Sequence, residues 1–174
     1  PDDVKSRYLL AMVRLRLKDW SAAETQFLET IRRQPDHESA RTNLAIVYSR
    51  QGKTEKTIET YRAILQSNPD HTIAQNNLSW LLATHPDEQF RDGPESVRLA
   101  TRLVEQQGNS NPVFLDLLAA GQAECGLYEE AIATARRAAS LARIEKRDDL
   151  AGQIENRVKL YENSEAYRER PGKS

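Results

Sequence analysis

The sequence predicts an all-α protein, a solenoid of stacked helical hairpins, and three observations support this fold class. The stretch QPDHESARTNLAIVY at 34–48 returns as NPDHTIAQNNLSWLL at 68–82, a spacing of 34 residues. Apolar residues recur at helical spacing, as they do on the buried face of an amphipathic helix. Ala, Leu, Glu, Arg and Gln are abundant, and no segment alternates β-branched with polar residues, so we expect no strands.

Each repeat is expected to form two helices joined by a turn. In the second unit, 38–71, Leu44, Ala45 and Tyr48 share one face of the first helix, and Gly52 ends that helix. A helix of about 14 residues is marginal alone in water, so the helices must pack on each other and on the next unit. The inward stripe of the second helix consists of Ile58, Tyr61, Ile64 and Leu65.

The first unit, 4–37, matches the second at the same offsets. Its turn reads KDW, with Lys18 where the second unit has glycine and Trp20 packing at the start of the next helix. The small residue Ala11 is expected where the paired helices approach closely. The other inward positions are Leu10, Ala23, Phe27 and Thr30.

The third unit, 72–111, has an expanded turn, HPDEQFRDGPES, which is five residues longer than the turns before it. We expect Phe90 to fix this turn against a neighbouring helix. The fourth unit, 112–143, returns to the standard length, with Asn111 as the helix N-cap and Gly126 at the turn. Together the four units span 4–143.

A capping helix and a polar tail are expected to follow the repeats. In 146–162, Leu150, Ile154 and Val158 lie at i, i+4 and i+8 among charged neighbours, which predicts a final helix with a polar outer face. The remaining 163–174, NSEAYRERPGKS, is polar and is expected to be wholly or partly disordered.

Composition excludes several classes of partner. The chain has 25 Lys plus Arg and 26 Asp plus Glu, so no excess of one charge favours nucleic acid or an anionic membrane. The sequence contains no run of 18 apolar residues, so it predicts no membrane-spanning helix. The single cysteine, Cys125, excludes an internal disulfide, and no cofactor motif is present. Cytoplasmic and periplasmic locations are both compatible with these features.

The repeat resembles the tetratricopeptide repeat (TPR) family: 34 residues, Leu and a small residue in the first helix, Gly at the turn, Ala and an aromatic in the second, and Pro near the end. The resemblance covers roughly 4–143. The second half, from NNLSWLLATHPDEQFRDG onward, is also similar to a C-terminal module of bacterial TPR proteins. That similarity implies that Ser174 lies at or near the natural C-terminus and that further repeats precede Pro1. The family resemblance implies a right-handed superhelix whose first helices line a concave groove.

The sequence predicts no catalytic or metal site. His37 and His71 occupy equivalent places in successive repeats, and His85 lies in the expanded turn, so we interpret all three as turn residues rather than zinc ligands. No nucleophile, phosphate-binding or metalloprotease motif is present. We therefore predict that the protein is not an enzyme.

The family resemblance favours a protein-interaction scaffold that binds a peptide or helix of a partner protein in the groove. The repeat-related Asn43 and Asn77 would pair with the main chain of a peptide, or would satisfy a backbone group of a neighbouring helix, and the two roles are compatible. Trp80 would be an apolar anchor in the groove, or part of the core. The alternatives are a structural spacer or self-association segment, and a docking arm of an enzyme encoded upstream. The predicted groove residues are Tyr8, Met12, Arg16, Thr42, Asn43, Ile46, Arg50, Asn76, Asn77, Trp80, Thr84 and Asp116.

Overall fold

The structure is a computed structural model that describes residues 3–106 and 109–169. These residues form helices connected by short turns and contain no strand. The predicted all-α class is therefore confirmed. None of the described helices is both long enough and apolar enough to cross a bilayer. The helices are α1 Val4–Arg16, α2 Trp20–Arg33, α3 Glu38–Arg50, α4 Thr54–Ser67, α5 Thr72–Thr84, α6 Gly93–Gln106, α7 Pro112–Glu124, α8 Tyr128–Ile144 and α9 Asp148–Glu162.

The chain divides into two compact units, each larger than a single repeat, with the boundary after Ala74 in the first turn of α5. From here on, unit 1 and unit 2 mean these two bodies. Unit 1 contains α1 to α4, and unit 2 contains the rest of α5 and α6 to α9. In unit 1 most of the positions predicted to point inward are buried, whereas Leu10 and Leu65 are half-buried. One core joins α1, α2 and α3, and its small alanines allow these helices to approach closely. Its buried members are Ala11, Ala23, Phe27, Ala40, Leu44, Val47 and Tyr48.

A residue with the left-handed backbone conformation, a positive φ, follows the C-terminus of each of α1, α3, α7 and α8. Gly52 and Gly126 have φ of 71° and 76°, as expected for glycine after a helix C-terminus. Lys18 adopts the same conformation in the first hairpin, with φ of 57°, and Lys146 does so before α9, with φ of 58°. A lysine pays a steric cost in this region that glycine does not.

Unit 2 has a core between α7, α8 and α9 and a second contact between α5 and α6. Ile154 and Val158 of α9 are buried in this core and Leu150 packs against it, as the i, i+4, i+8 line predicted. On the other side, Ser79 and Ser96 each donate a hydroxyl hydrogen bond to the other's carbonyl oxygen at 2.9 Å. These small side chains bring α5 and α6 into close contact.

The expanded turn of the third hairpin is ordered by polar contacts. It contains a short 3₁₀ turn, Glu88–Phe90, and the ring of Phe90 packs edge-on against His85 at 4.9 Å. The Asp92 amide donates to the Leu82 carbonyl at 3.0 Å. Gly93 then lies so close to the end of α7 that an added Cβ would be 2.8 Å from the Cys125 sulfur. The absence of a side chain at Gly93 therefore allows α6 to start against α7.

Candidate functional site

In unit 1 the predicted groove residues on α1 and α3 lie in two parallel lines. Tyr8, Met12 and Arg16 follow each other at i, i+4 and i+8 on α1, and the positions 34 residues later are Thr42, Ile46 and Arg50 on α3. Asn43 lies beside the second line. We call the accessible part of this surface the α1–α3 face; its residues are Tyr8, Met12, Arg16, Asn43, Ile46 and Arg50.

Asn43 links the two helices of this face. Its Nδ2 donates to the Tyr8 hydroxyl at 3.2 Å and to the Ser39 carbonyl of its own helix at 2.8 Å. The Tyr8 ring in turn lies 4.7 Å from the His37 ring and 6.0 Å from the Phe27 ring. Asn43 therefore contacts the neighbouring helix α1 through a side-chain hydroxyl, whereas its bond to a backbone carbonyl lies within its own helix α3 rather than in a neighbouring one.

The remaining predicted positions in unit 1 differ in exposure. Thr42 is buried; its hydroxyl donates to the Glu38 carbonyl at 3.0 Å and lies 3.2 Å from His71 Nε2. It therefore differs from the exposed position that we expected, because His71 lies against its hydroxyl. Met12 and Ile46 are partly exposed, and Arg16 and Arg50 are exposed. Within the described residues neither arginine makes an ion pair, so the end of the α1–α3 face is positively charged.

The repeated histidines begin helices. His37 is the N-cap of α3, where its Nδ1 accepts a hydrogen bond from the Ala40 amide at 3.2 Å, and His71 Nδ1 accepts from the Ala74 amide at 3.1 Å before α5. An unprotonated ring nitrogen here replaces the side-chain oxygen of a usual N-cap. His71 Nε2 also lies 3.4 Å from the Glu38 carboxylate. Among the residues that the structure describes, no group of three metal-binding side chains occurs.

In unit 2 the equivalent line on α5 runs through Asn76, Trp80 and Thr84. Asn76 donates to the Asn77 side-chain oxygen at 3.1 Å. Trp80 is half-buried, whereas Thr84 is fully buried and its hydroxyl donates to the Trp80 carbonyl at 2.8 Å. Thr84, like Thr42, therefore differs from the exposed position that we expected.

Asp116 of α7 is also buried rather than exposed, because it forms an ion pair with Arg157 of α9. Arg157 Nε and Nη2 donate to the two carboxylate oxygens at 2.9 and 2.6 Å. Burial raises the pKa of the Asp116 carboxyl, and the charge of Arg157 opposes that shift. Burial also raises the pKa of the neighbouring Tyr161, whose hydroxyl has no hydrogen-bond partner among the described residues.

The segment 165–169 crosses this surface of unit 2, and we call it the strap. Tyr167 lies 5.8 Å from the Trp80 ring, and the Arg157 guanidinium is 5.4 Å from the Trp80 ring and 5.5 Å from the Tyr167 ring. The Glu169 amide donates to the Thr84 carbonyl at 2.8 Å. The tail that we expected to be wholly or partly disordered is thus anchored over these residues, because aromatic and main-chain contacts compensate for its polarity. Residues 170–174 lie outside the described part of the chain.

Glu124, at the end of α7, has two arginine partners. Arg91 of the expanded turn donates from Nε at 2.8 Å, and Arg168 of the strap lies 2.6 Å from the other carboxylate oxygen. Arg91 also donates to the His85 and Pro86 carbonyls, each at 3.2 Å. The carboxylate is largely shielded, since 13% of the side chain is exposed. Opposite charges at such short distances hold the expanded turn and the strap at one point.

The repeat register of the sequence also points to Glu124. The last position of the repeat line is Arg16, Arg50 and Thr84 in the first three repeats, and the same register in the fourth repeat reaches Glu124. The line therefore changes from basic in unit 1 to acidic in unit 2. No comparable pattern identified the other residues of this surface, which lie after the last repeat: Arg157, Tyr167 and Arg168.

The comparisons with known proteins agree with the repeat architecture. Residues 8–72, less than half of the chain, match the family model described as tetratricopeptide repeat. No curated protein matches the sequence. The similar solved structures include MamA (residues 41 to the end) from Desulfovibrio magneticus RS-1, with a TM-score of 0.71 and 13% identity over 94% of this chain and 97% of that one.

Two further structures have the same fold. One is PilW, described as a widely conserved type IV pilus biogenesis factor, with a TM-score of 0.66 and 17% identity over 94% of this chain and 79% of that one. The other is a thermophilic TPR protein of Thermus thermophilus, with a TM-score of 0.59 and 14% identity over 93% of this chain and 98% of that one. The resemblance predicted from the sequence is therefore confirmed: residues 8–72 carry tetratricopeptide repeats, and the chain has the TPR solenoid fold.

Proposed function

We propose that this protein is a non-enzymatic interaction module whose α1–α3 face binds a segment of a partner protein. Tetratricopeptide repeats are protein-binding modules, and solenoids of this kind bind through the surface lined by successive repeats. The observation that carries the proposal is the strap. In unit 2 the strap, a non-helical segment of the chain itself, lies against the same repeat positions that remain accessible in unit 1.

The side chains of the α1–α3 face define the chemistry of the partner segment. Met12 and Ile46 are partly exposed and offer an apolar surface to one large side chain. Arg16 and Arg50, one at the end of each helix, attract a carboxylate. A partner segment with an apolar residue followed by an acidic residue satisfies both features, either as an extended peptide or as one face of a helix.

Site-specific photo-crosslinking in a lysate of the source cell tests this function. A crosslinking amino acid at position 46 should capture a defined partner, whereas the same amino acid at Glu59, an exposed position on α4, should not. A Met12→Ala, Ile46→Ala variant should lose that partner in affinity capture. The matched control, Leu28→Ala with Ile73→Ala, truncates exposed apolar residues outside the face and should retain it. Equal crosslinking at positions 46 and 59 would exclude the α1–α3 face as the binding site.

A second candidate function, self-association, is favoured by an adjacent side of α1, about 100° round the helix from Tyr8, Met12 and Arg16. Leu9, Val13 and Leu17 form an i, i+4, i+8 line with 53%, 52% and 68% of their surface exposed. Val47, the residue 34 positions after Val13, is fully buried in the core with α2 side chains. An exposed apolar line of this kind is typical of an interface, and a second copy of the chain is the partner we propose for it.

Sedimentation velocity over a wide range of protein concentrations tests this second candidate. The native chain should sediment faster as its concentration rises, and Val13→Glu should abolish that dependence. Ile144→Glu, which changes an exposed apolar residue elsewhere, should not. A native chain with one sedimentation coefficient at all concentrations would exclude self-association through α1.

A further inference from the structure

The contacts of the strap in unit 2 are those of a bound peptide. The aromatic ring of Tyr167 packs on Trp80 and beside the Arg157 guanidinium, with ring and cation distances of 5.8 and 5.5 Å. The Arg168 guanidinium donates from Nη1 to the Ala83 carbonyl at 3.3 Å and pairs with the Glu124 carboxylate at 2.6 Å. One side chain is thus held by an aromatic surface and the next by a shielded negative charge.

The main chain of the strap is held as well. The Glu169 amide donates to the carbonyl of Thr84, the last residue of α5, at 2.8 Å. The last carbonyl groups of a helix have no partner within that helix, so they are available to an incoming extended segment. A segment that supplies an amide here gains a hydrogen bond whatever its side chain is.

We propose that this surface of unit 2 is a recognition site for an extended protein segment with an aromatic residue followed by an arginine, and that the strap is its resident, displaceable ligand. The site residues are Trp80, Glu124, Arg157 and the carbonyl of Thr84. A partner with the same pair of side chains competes with Tyr167 and Arg168 for these groups. This inference concerns a different surface from the α1–α3 face and does not depend on the function proposed for that face.

The charge of the site supports this choice of partner. Thr84 and Glu124 occupy the repeat position that carries Arg16 and Arg50 in unit 1, so the two units differ in sign at one register. Glu124 keeps Arg91 as a partner when Arg168 leaves, because Arg91 belongs to the expanded turn and not to the strap. The carboxylate therefore remains in place for an incoming guanidinium.

The strap is also short enough to be displaced. It contributes five residues, of which Glu165 and Glu169 are exposed and Ala166, Tyr167 and Arg168 are half-buried. Its attachment to α9 gives it an effective concentration on the order of millimolar, as expected for a short linker. A separate peptide of the same sequence therefore competes poorly with the intact strap, and it binds well once the anchoring side chains of the strap have been removed.

Fluorescence anisotropy with a labelled peptide tests the proposal. The probe is a capped peptide with the sequence of residues 163–169, and the control peptide has alanine in place of its tyrosine and arginine. The Tyr167→Ala, Arg168→Ala variant of the whole chain should bind the probe at least about tenfold more tightly than the native chain does. The control peptide should bind this variant at least about tenfold more weakly than the probe, since it lacks both anchors. Equal affinity of the native chain and the variant, or of the two peptides, would overturn the proposal.

A second measurement on the native chain removes any dependence on the folding of the variant. Hydrogen exchange at the Glu169 amide should become faster once the probe peptide exceeds the effective concentration of the strap, which is on the order of millimolar, because the strap is then displaced from the Thr84 carbonyl. The control peptide should leave exchange unchanged. Exchange that stays unchanged at saturating probe concentration would show that the strap is a fixed part of the fold. Crosslinking at position 46 is unaffected by either result, so this proposal and the function of the α1–α3 face can fail separately.

Discussion

Arg157 and Asp116 are 41 residues apart in sequence and face each other as a buried, two-bonded ion pair between α9 and α7. The side chains are only 9% and 7% exposed. Arg157 also lies over the Trp80 ring and beside Tyr167. One guanidinium therefore fixes the capping helix to the last hairpin and forms part of the surface on which the strap lies.

Removing the charge of Asp116 should destabilise the protein strongly. Asp116→Asn keeps the shape of the side chain but leaves the Arg157 guanidinium buried without a counter-ion, which we expect to cost about 3 kcal/mol in the free energy of unfolding. Urea denaturation measures this change. The double variant Asp116→Leu, Arg157→Met removes both charges and should lose less stability than the single variant. A single variant as stable as the native chain would mean that water reaches the pair.

Tyr161→Phe should make the protein less sensitive to alkaline pH. Burial raises the pKa of the Tyr161 hydroxyl above its ordinary value of 10.0, so the unfolded chain ionises at lower pH than the folded chain. This contribution to stability is complete below pH 10 and is lost as the pH rises towards the folded-state pKa. Near neutral pH the variant should be as stable as the native chain or up to about 1 kcal/mol more stable, because an unpartnered buried hydroxyl is removed. Urea denaturation at about pH 8 and about pH 11 tests the difference, and parallel losses in both proteins would contradict it.

The role of His37 as a helix cap can be separated from its ring contact with Tyr8. His37→Ala and His37→Asn both remove that contact, but asparagine restores an acceptor for the Ala40 amide. We expect the asparagine variant to be about 1 kcal/mol more stable than the alanine variant. Thermal and urea denaturation of the pair measure the cap alone. Equal stability would show that a side-chain acceptor at position 37 contributes nothing to the start of α3.

Lys18→Gly should stabilise the first hairpin. Lys18 has a φ of 57°, in the region where glycine avoids the clash between a Cβ and the main chain. The relief is partly offset by the greater freedom of glycine in the unfolded chain, which leaves a net gain of about 0.5 to 1 kcal/mol. Gly126→Ala, at a φ of 76°, is the opposite control and should lower the urea midpoint. A loss of stability in the Lys18 variant would mean that its side chain makes a compensating contact.

The repeat pattern was sufficient to predict the fold because the same helix–turn–helix pattern occurs in successive repeats. A spacing of 34 residues, small residues at the helix contacts and glycine at two turns left one architecture to expect. The buried line of Ile154 and Val158 in α9 could be predicted because its apolar residues stand among charged ones. These features depend on local periodicity, which a sequence displays directly.

The site in unit 2 could not be predicted by the same means. The burial of Asp116 between apolar residues on α7 depends on Arg157, which is distant in sequence and belongs to no repeat. The strap is polar, and its anchors are an amide, an ion pair and a ring contact, none of which has a period. The repeat spacing predicts His37 and His71 as turn residues, but it does not predict that a ring nitrogen caps each helix.

The shared carboxylate of Glu124 has a consequence for engineering this protein. Deleting the part of the expanded turn that contains Arg91 would leave Arg168 as the carboxylate's remaining guanidinium, while truncating the chain before residue 165 would do the reverse. The expanded turn and the strap should therefore be changed together in any redesign. A graft of this hairpin into another helical array should carry the strap with it.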